Sequence, residues 1–504
     1  MTSNNDTRPH AIVIGAGFGG LAAAIRLGVK GYRVTVIDRL DAAGGRAYVF
    51  RQDGYTFDAG PTIITAPYLF EELWTLCGQR MSEHVDLRSL DPFYRIRFDD
   101  GSVFTYVADL AAMRQEVARF EPADVAGFDR FMEESRRIYA TAFEKLADEP
   151  FHRIPTLLRE AAALLRLGGQ SSVYSKVARY FRNEKLRTVF SFHPLLIGGN
   201  PLTTTSYYCL IAHLERKFGV HYAVGGMGAL VEGLTALVRD TGGTLRLSTE
   251  VDEIRVKDGA AVGVRLTDGE TIDADLVVSN ADSTWTYGHL LRNHPRRRWT
   301  DARLNRAHYS MSLFVWYFGT RRQYPDVMHH TMVLGPRYEE LLRDIFKRKR
   351  LAKDFSLYLH RPTASDPQLA PPGCDAFYVL SPVPHLESGV DWSLEAPRYR
   401  DAIAARLEAA LLPDLRASIA TERWMTPVDF RERLLSTNGA AFSLEPQLFQ
   451  SAWFRPHNLS EEVRGLYLVG AGTHPGAGLP GVLSSARVVD KLVGDARGVA
   501  LHKP

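Results

Sequence analysis

The stretch AIVIGAGFGGLAAAIRLGVKGYRVTVID, residues 11–38, reads as a complete strand, glycine turn, helix and second strand. Ala11 to Ile14 is a short apolar run suited to a strand buried on both faces. Gly15, Gly17 and Gly20 follow it in GxGxxG spacing. Gly15 permits the tight turn, Gly17 lets a pyrophosphate approach the backbone, and Gly20 lets the next helix lie close on the sheet. That helix opens with free N–H groups and the positive end of its dipole toward the phosphates, keeping Leu21, Ala24, Ile25 and Leu27 for packing. Arg33 to Ile37 form the second strand, and Asp38 stands at its end, 18 residues beyond Gly20, where a carboxylate accepts hydrogen bonds from a ribose. A glycine motif alone is a weak signal. Preceded by an apolar strand, opening a helix and followed by an acid at the next strand end, it predicts a dinucleotide-binding α/β unit.

Working outward, Gly44-Gly45-Arg46 comes soon after the second strand, and Tyr48 to Phe50 with Tyr55 to Phe57 reads as a meander. Asp58 to Ile64 (DAGPTII) reads as an irregular turn around Gly60 and Pro61. Residues 90–108 read as two short strands joined at Asp100-Gly101. From about Leu110 the apolar residues recur at three and four, which predicts helices; IPTLLREAAALLRLGG continues them, with Pro155 suited to a first turn. Residues 151–182 carry Arg153, Arg159, Arg166, Lys176, Arg179 and Arg182 against the single acid Glu160, so this stretch is either a solvated basic face or a membrane-surface helix. Gly225 to Asp282 returns to α/β patterning and should rejoin the first sheet, bringing Val251 and Asn280 toward the adenine side. The runs 311–319, 355–361 and 376–383 are strand-like and rich in aromatic residues, which suggests a second, antiparallel sheet with one apolar face. Ile345 to Arg350 is a second basic cluster. Leu466 to Val469 reads as a buried strand entering a glycine-rich loop, with a helix beginning near Gly481.

Composition bounds the function. A chain of 504 residues with 45% hydrophobic content has ample material for several cores. Sixty-one Lys plus Arg against 58 Asp plus Glu leaves +3, too near balance for a nucleic-acid binder. Cys77, Cys209 and Cys374 stand far apart, which suggests neither a disulfide framework nor a thiolate metal site and fits a reducing cytoplasm. The polar start MTSNNDTRPH lacks the form of a secretory signal, and the longest apolar runs fall short of the roughly 18 residues a membrane span needs.

GAGFGGLAAAIRL, GGRAYVF, FDAGPTIIT, VYSKVARYF, FSFHPLLIGGNP, Asn280-Ala281-Asp282 and VGAGTHPGAGLPGV together closely resemble bacterial-type phytoene desaturases, carotenoid-forming relatives of the amine oxidase flavoproteins. The resemblance covers nearly the whole chain, and THPGAGLPG is its most specific string. It implies FAD as cofactor and, as substrates, phytoene and partly desaturated carotenes taken from a membrane surface. It further implies successive hydrogen removals leading to lycopene or neurosporene, and quinone or oxygen as the final electron acceptor. A peripheral protein on the cytoplasmic face of the membrane follows. Carried over residue by residue, the FAD contacts fall on Gly15, Gly17, Gly20, Asp38, Arg39, Gly45, Arg46, Val251, Gly472 and Val482, and the helix near Gly481 would stabilise reduced flavin. The implied fold is α/β: a Rossmann-type FAD-binding domain (1–85, 222–285 and 455–504), a mixed-sheet substrate domain (86–110 and 286–454), and a helical, membrane-facing subdomain (111–221). At RIPTLLRE the chain departs from its likeness, which carries an Arg-Asp pair before the Leu-Leu; here stand Pro155-Thr156, and only Arg159 is kept. Arg159 and His474 are the remaining catalytic candidates. His329-His330 has no partner at ligand spacing, and no metal site is expected. The rivals are an amine oxidase or a carotenoid isomerase of the same fold, and a flavin-free prenyl-binding carrier resembling the Rab GDP-dissociation inhibitors.

Overall fold

The computed structural model describes residues 7–496 apart from 153, 156–158 and 160–166. Strand β1 (His10–Ile14) is buried along its whole length and lies between β2 (Arg33–Ile37) and the strand Leu276–Ser279, parallel to both. Thr244–Arg246 and Leu466–Leu468 complete a five-stranded parallel sheet at its two edges. Both faces of β1 are covered, which is why it reads as a continuous apolar run. Ala11 and Val13 face helix α1 (Phe18–Val29), whereas Ile12 and Ile14 meet Ile254, Val264 and Leu266 of a three-stranded antiparallel sheet, Val251 to Asp273. The C-terminal helix Leu479–Leu492 packs beside α1, where the buried Arg26 reaches Glu72 at 2.9 Å and Asp490 at 3.4 Å.

A second sheet has seven strands, ordered Ile419–Met425, Ser312–Thr320, Asp375–Val383, Leu357–His360, His330–Val333, Tyr94–Arg97 and Val103–Tyr106. The expected aromatic strands are its centre. Alternation along Ser312–Thr320 sends Leu313, Val315 and Tyr317 into the main core and Phe314, Trp316 and Phe318 into a second core against the helix Trp392–Ala410. The sheet is not wholly antiparallel as the sequence suggests: Thr331 pairs parallel with Arg95. The strand Tyr94–Arg97 comes from a distant segment, so no hairpin constrains its direction. Its own hairpin turns at Asp100-Gly101 as expected, with Gly101 at φ +84°.

Above the sheets lie the helices Leu110–Phe120, Val125–Ala142, Glu184–Ser191 and Leu210–Phe218. The predicted helix IPTLLREAAALLRLGG lies mostly outside the described residues. Within the basic stretch, Lys176 is not available to a lipid surface: it is buried, donating to Glu134 at 2.8 Å and to the Leu167 carbonyl at 2.7 Å. The cluster at 345–350 is likewise engaged, Arg348 pairing with Glu340 and Asp344 at 2.8 Å each and Lys349 with Glu387. No described helix is long and apolar enough to cross a membrane.

Candidate active site

The glycine turn after β1 is built as a cradle. Gly15 has φ +94°, and a Cβ on Gly20 would stand 2.0 Å from the Gly15 carbonyl oxygen, so only glycine lets α1 sit this close. A Cβ on Gly17 would lie 3.0 Å from Asn280 Nδ2, on the next strand's exit. No side chain caps the α1 N-terminus, so its first N–H groups are left for a ligand. Asp38 accepts the Ala16 N–H at 2.7 Å and the Leu40 N–H at 2.8 Å, bracing the turn while its side chain lines the cavity beyond. Burial pushes the Asp38 carboxyl up, and the two backbone donors oppose that.

From this turn a cavity of about 850 Å³ runs into the molecule. Its polar end is formed by Gly15, Gly17, Asp38, Arg39, Gly45, Arg46, Val251 and Asn280. Arg39 lies 3.3 Å from Glu250, and Arg46 donates to the Ala441 carbonyl at 2.8 Å and Ser436 Oγ at 2.9 Å. Two polar atoms here are buried without a partner, Arg433 Nη2 and Asp282 Oδ2. Arg433 belongs to no local motif that could have marked it in the sequence, whereas Asp282 closes the Asn280-Ala281-Asp282 string that carries the resemblance. The far end is apolar: Phe143, Phe192, Leu195, Leu313, Tyr378 and Leu380 are among its walls.

The glycine-rich loop after Leu468 closes one side. Gly470, Ala471, Gly478, Gly481 and Val482 line the cavity and lead into the uncapped N-terminus of Leu479–Leu492, two residues earlier than the sequence suggests. Gly472 is not among the lining residues; its Cβ position is 2.4 Å from Ser283 Oγ, so it serves packing of the loop. Arg455, almost wholly buried, holds the loop by donating to the carbonyls of Leu444 at 2.8 Å and Ala471 at 3.0 Å.

Residues 18–489 match the family of flavin-containing amine oxidoreductases. The chain belongs to that family. It is therefore an FAD-dependent oxidoreductase, and its relatives include a neurosporene-forming phytoene desaturase of Cereibacter sphaeroides, 51% identical over 97% of this chain and 95% of the relative. A lycopene-forming phytoene desaturase of Pantoea ananas is 47% identical over 95% of this chain and 98% of the relative. Among solved structures, putrescine oxidase bound to putrescine shares the fold with a TM-score of 0.64 at 13% identity, covering 96% of this chain and 98% of that one. An oxidoreductase of Methanosarcina mazei gives 0.63 at 18%, covering 96% and 100%.

The residues present suit the flavin dinucleotide of this family. A Cβ at Gly17 would crowd Asn280 at 3.0 Å, two uncapped helix ends face the cavity, and the unpartnered Arg433 and Asp282 atoms offer one donor and one acceptor. Of the two catalytic candidates, Arg159 is exposed and does not line the cavity. His474 does line it, buried, with Nε2 3.0 Å from the Leu146 carbonyl; because a carbonyl only accepts, Nε2 carries the proton and Nδ1 is a bare, unpartnered acceptor. Burial lowers its pKa to about 4.

Two polar clusters at the cavity wall escaped sequence reasoning. Glu215, fully buried, accepts from Tyr94 at 2.6 Å and contacts His193 Nε2 at 3.1 Å. In the second, Tyr358 lies between Thr62, at 2.7 Å, and His330 Nδ1, at 2.6 Å. The expectation that His329-His330 lacks a partner fails here. His360 arrives from the neighbouring strand, and one ring nitrogen from each of the three histidines lies within 4.8 Å of the other two.

Proposed function

We propose that the protein is a phytoene desaturase that removes hydrogen from phytoene in successive steps to give neurosporene or lycopene. The observation that carries this reading is the cavity: it joins a dinucleotide cradle to an apolar chamber shaped for a hydrocarbon, in a chain about half identical to desaturases named for phytoene. FAD contacts are assigned to Gly15, Gly17, Asp38, Arg39, Gly45, Arg46, Val251 and Val482, with Gly20 and Gly472 acting through packing. Bound flavin supplies the hydride acceptor. Phytoene has no acidic proton, so an allylic hydride leaves first and the resulting cation is delocalised over the neighbouring double bond. The adjacent C–H is then acidic enough that a weak base completes the alkene. The protein's part is to hold the allylic carbon in place and exclude water, which the walls of Phe192, Leu313 and Leu380 do.

The cavity's rim supports substrate entry from lipid at a membrane surface. Phe449, 74% exposed, packs edge-on to Phe454 at 5.4 Å, and both line the mouth. Ile154, exposed, follows the cavity residue Phe151 closely, and Arg159, Arg179 and Arg182 are exposed on the same stretch of chain. Quinone or oxygen would reoxidise the flavin. The test is to incubate FAD-loaded protein with phytoene in liposomes and a quinone acceptor. Conjugated carotenes should accumulate; unchanged phytoene beside turnover of an amine or an already conjugated carotene would overturn the reading.

A further inference from the structure

Desaturation releases a proton inside an apolar chamber, and the buried Tyr358–His330–His360–His329 cluster leads away from that chamber. The antiparallel register makes His330 and His360 direct cross-strand neighbours and pairs Tyr358 with Met332, so the tyrosine and both histidines share one face. Tyr358 and Thr62 line the cavity near the Gly60-Pro61 turn. Behind them, His360 Nε2 is 3.0 Å from His329 Nε2, and His329 Nδ1 is 2.8 Å from Ser365 Oγ, a partly exposed side chain. His330 Nε2 is buried without a partner. Nearby carboxylates are engaged elsewhere: Asp58, whose charge acts on Tyr358, by the Met227 N–H at 2.9 Å, Glu215 by Tyr94 and His193, and Asp366 by the Gly225 N–H at 2.7 Å and the Tyr222 hydroxyl at 3.4 Å.

We propose, resting on the desaturase reading, that Tyr358 takes the proton lost from the substrate and that His330, His360 and His329 pass it to Ser365 at the surface. The C–H bond beside the allylic cation breaks and its electron pair becomes the new π bond. The proton moves to Tyr358 Oη as the tyrosine's own proton moves to His330 Nδ1. The substrate is oxidised by two electrons, which leave with the hydride; bound FAD would supply the acceptor for that hydride. The His330 proton then crosses to the His329–His360 pair, the one step not already joined by a hydrogen bond, and Ser365 delivers it to solvent. Burial holds all three histidines neutral, well below the ordinary imidazole range, so each has a free lone pair at working pH. An allylic cation is acidic enough to protonate so weak a base.

The test uses FAD-loaded Tyr358→Phe and His330→Asn proteins, each checked for parental flavin content and melting temperature. The substrate is phytoene deuterated either at the hydride-losing or at the proton-losing carbons. Both variants should turn over about 10²-fold more slowly, with an isotope effect appearing at the proton-losing carbons that the parent lacks. A purely structural role would leave that isotope effect absent. A second readout needs no turnover: the infrared C–O stretch of Tyr358, isolated by difference against Tyr358→Phe, should shift in His330→Asn as the 2.6 Å contact changes partner. Parental rates with no new isotope effect in the variants would overturn the relay alone. So would a stoichiometric zinc ion that is lost in His330→Asn. A parent inert toward phytoene would overturn the substrate reading and the relay with it.

Discussion

Gly17 sits where a pyrophosphate must come close; a Cβ there would already crowd Asn280 Nδ2 at 3.0 Å, and a valine would add two methyl groups at the face the pyrophosphate needs. Gly17→Val should therefore purify without flavin, read from the ratio of flavin to protein absorbance; a flavin-replete variant would remove the basis of the cofactor assignment. A second residue sets a pH dependence. Asp58 is buried at the start of the helix Met227–Asp240, accepting the Met227 N–H at 2.9 Å, and burial raises its pKa from 3.8 to about 7. Here the folded state holds a proton the unfolded chain has released. The contribution is fully present below the unfolded value and is lost as pH rises through the folded one, at up to about 1.4 kcal/mol per pH unit. Asp58→Asn keeps the acceptor and removes the titration. Denaturant unfolding at pH 5 and pH 7.5 should show the variant gaining on the parent as pH rises, and parallel curves would contradict the assignment.

At the scale of elements, what the sequence makes legible is what is local. The β1–α1–β2 unit is readable because three glycines and one aspartate fall at fixed spacing within residues 15–38, and the strands near 312–320 and 375–383 because their apolar runs are long. The Tyr358–His330–His360 cluster is not readable, since it exists only through the register of strands that a long connection separates. Arg433 and Glu215 fall in the same class: each is ordinary in its own helix or loop and meaningful only where distant segments converge. The basic stretch at 151–182 misleads in part, because Lys176 is spent on an interior ion pair. The segment 448–454 carries the membrane prediction instead. Phe449→Ser with Phe454→Ser should weaken flotation with anionic liposomes severalfold without changing flavin content, the residual binding fading as salt screens the exposed arginines. Flotation indifferent to both the substitutions and salt would exclude this rim as the docking surface.

At the scale of the whole molecule, two sheets and a helical cover meet around one cavity that is polar where a dinucleotide fits and apolar where a hydrocarbon fits. The family fixes the redox chemistry; the walls decide what is oxidised. The most direct measurement is anaerobic: phytoene in liposomes is mixed with the FAD-loaded protein in the absence of any acceptor, and the flavin absorbance is followed alongside the carotene spectrum. The flavin should bleach once, with one new conjugated double bond formed per flavin reduced, and a polyamine such as putrescine should leave it oxidised. Flavin that stays yellow with phytoene but bleaches with the amine would contradict the desaturase assignment.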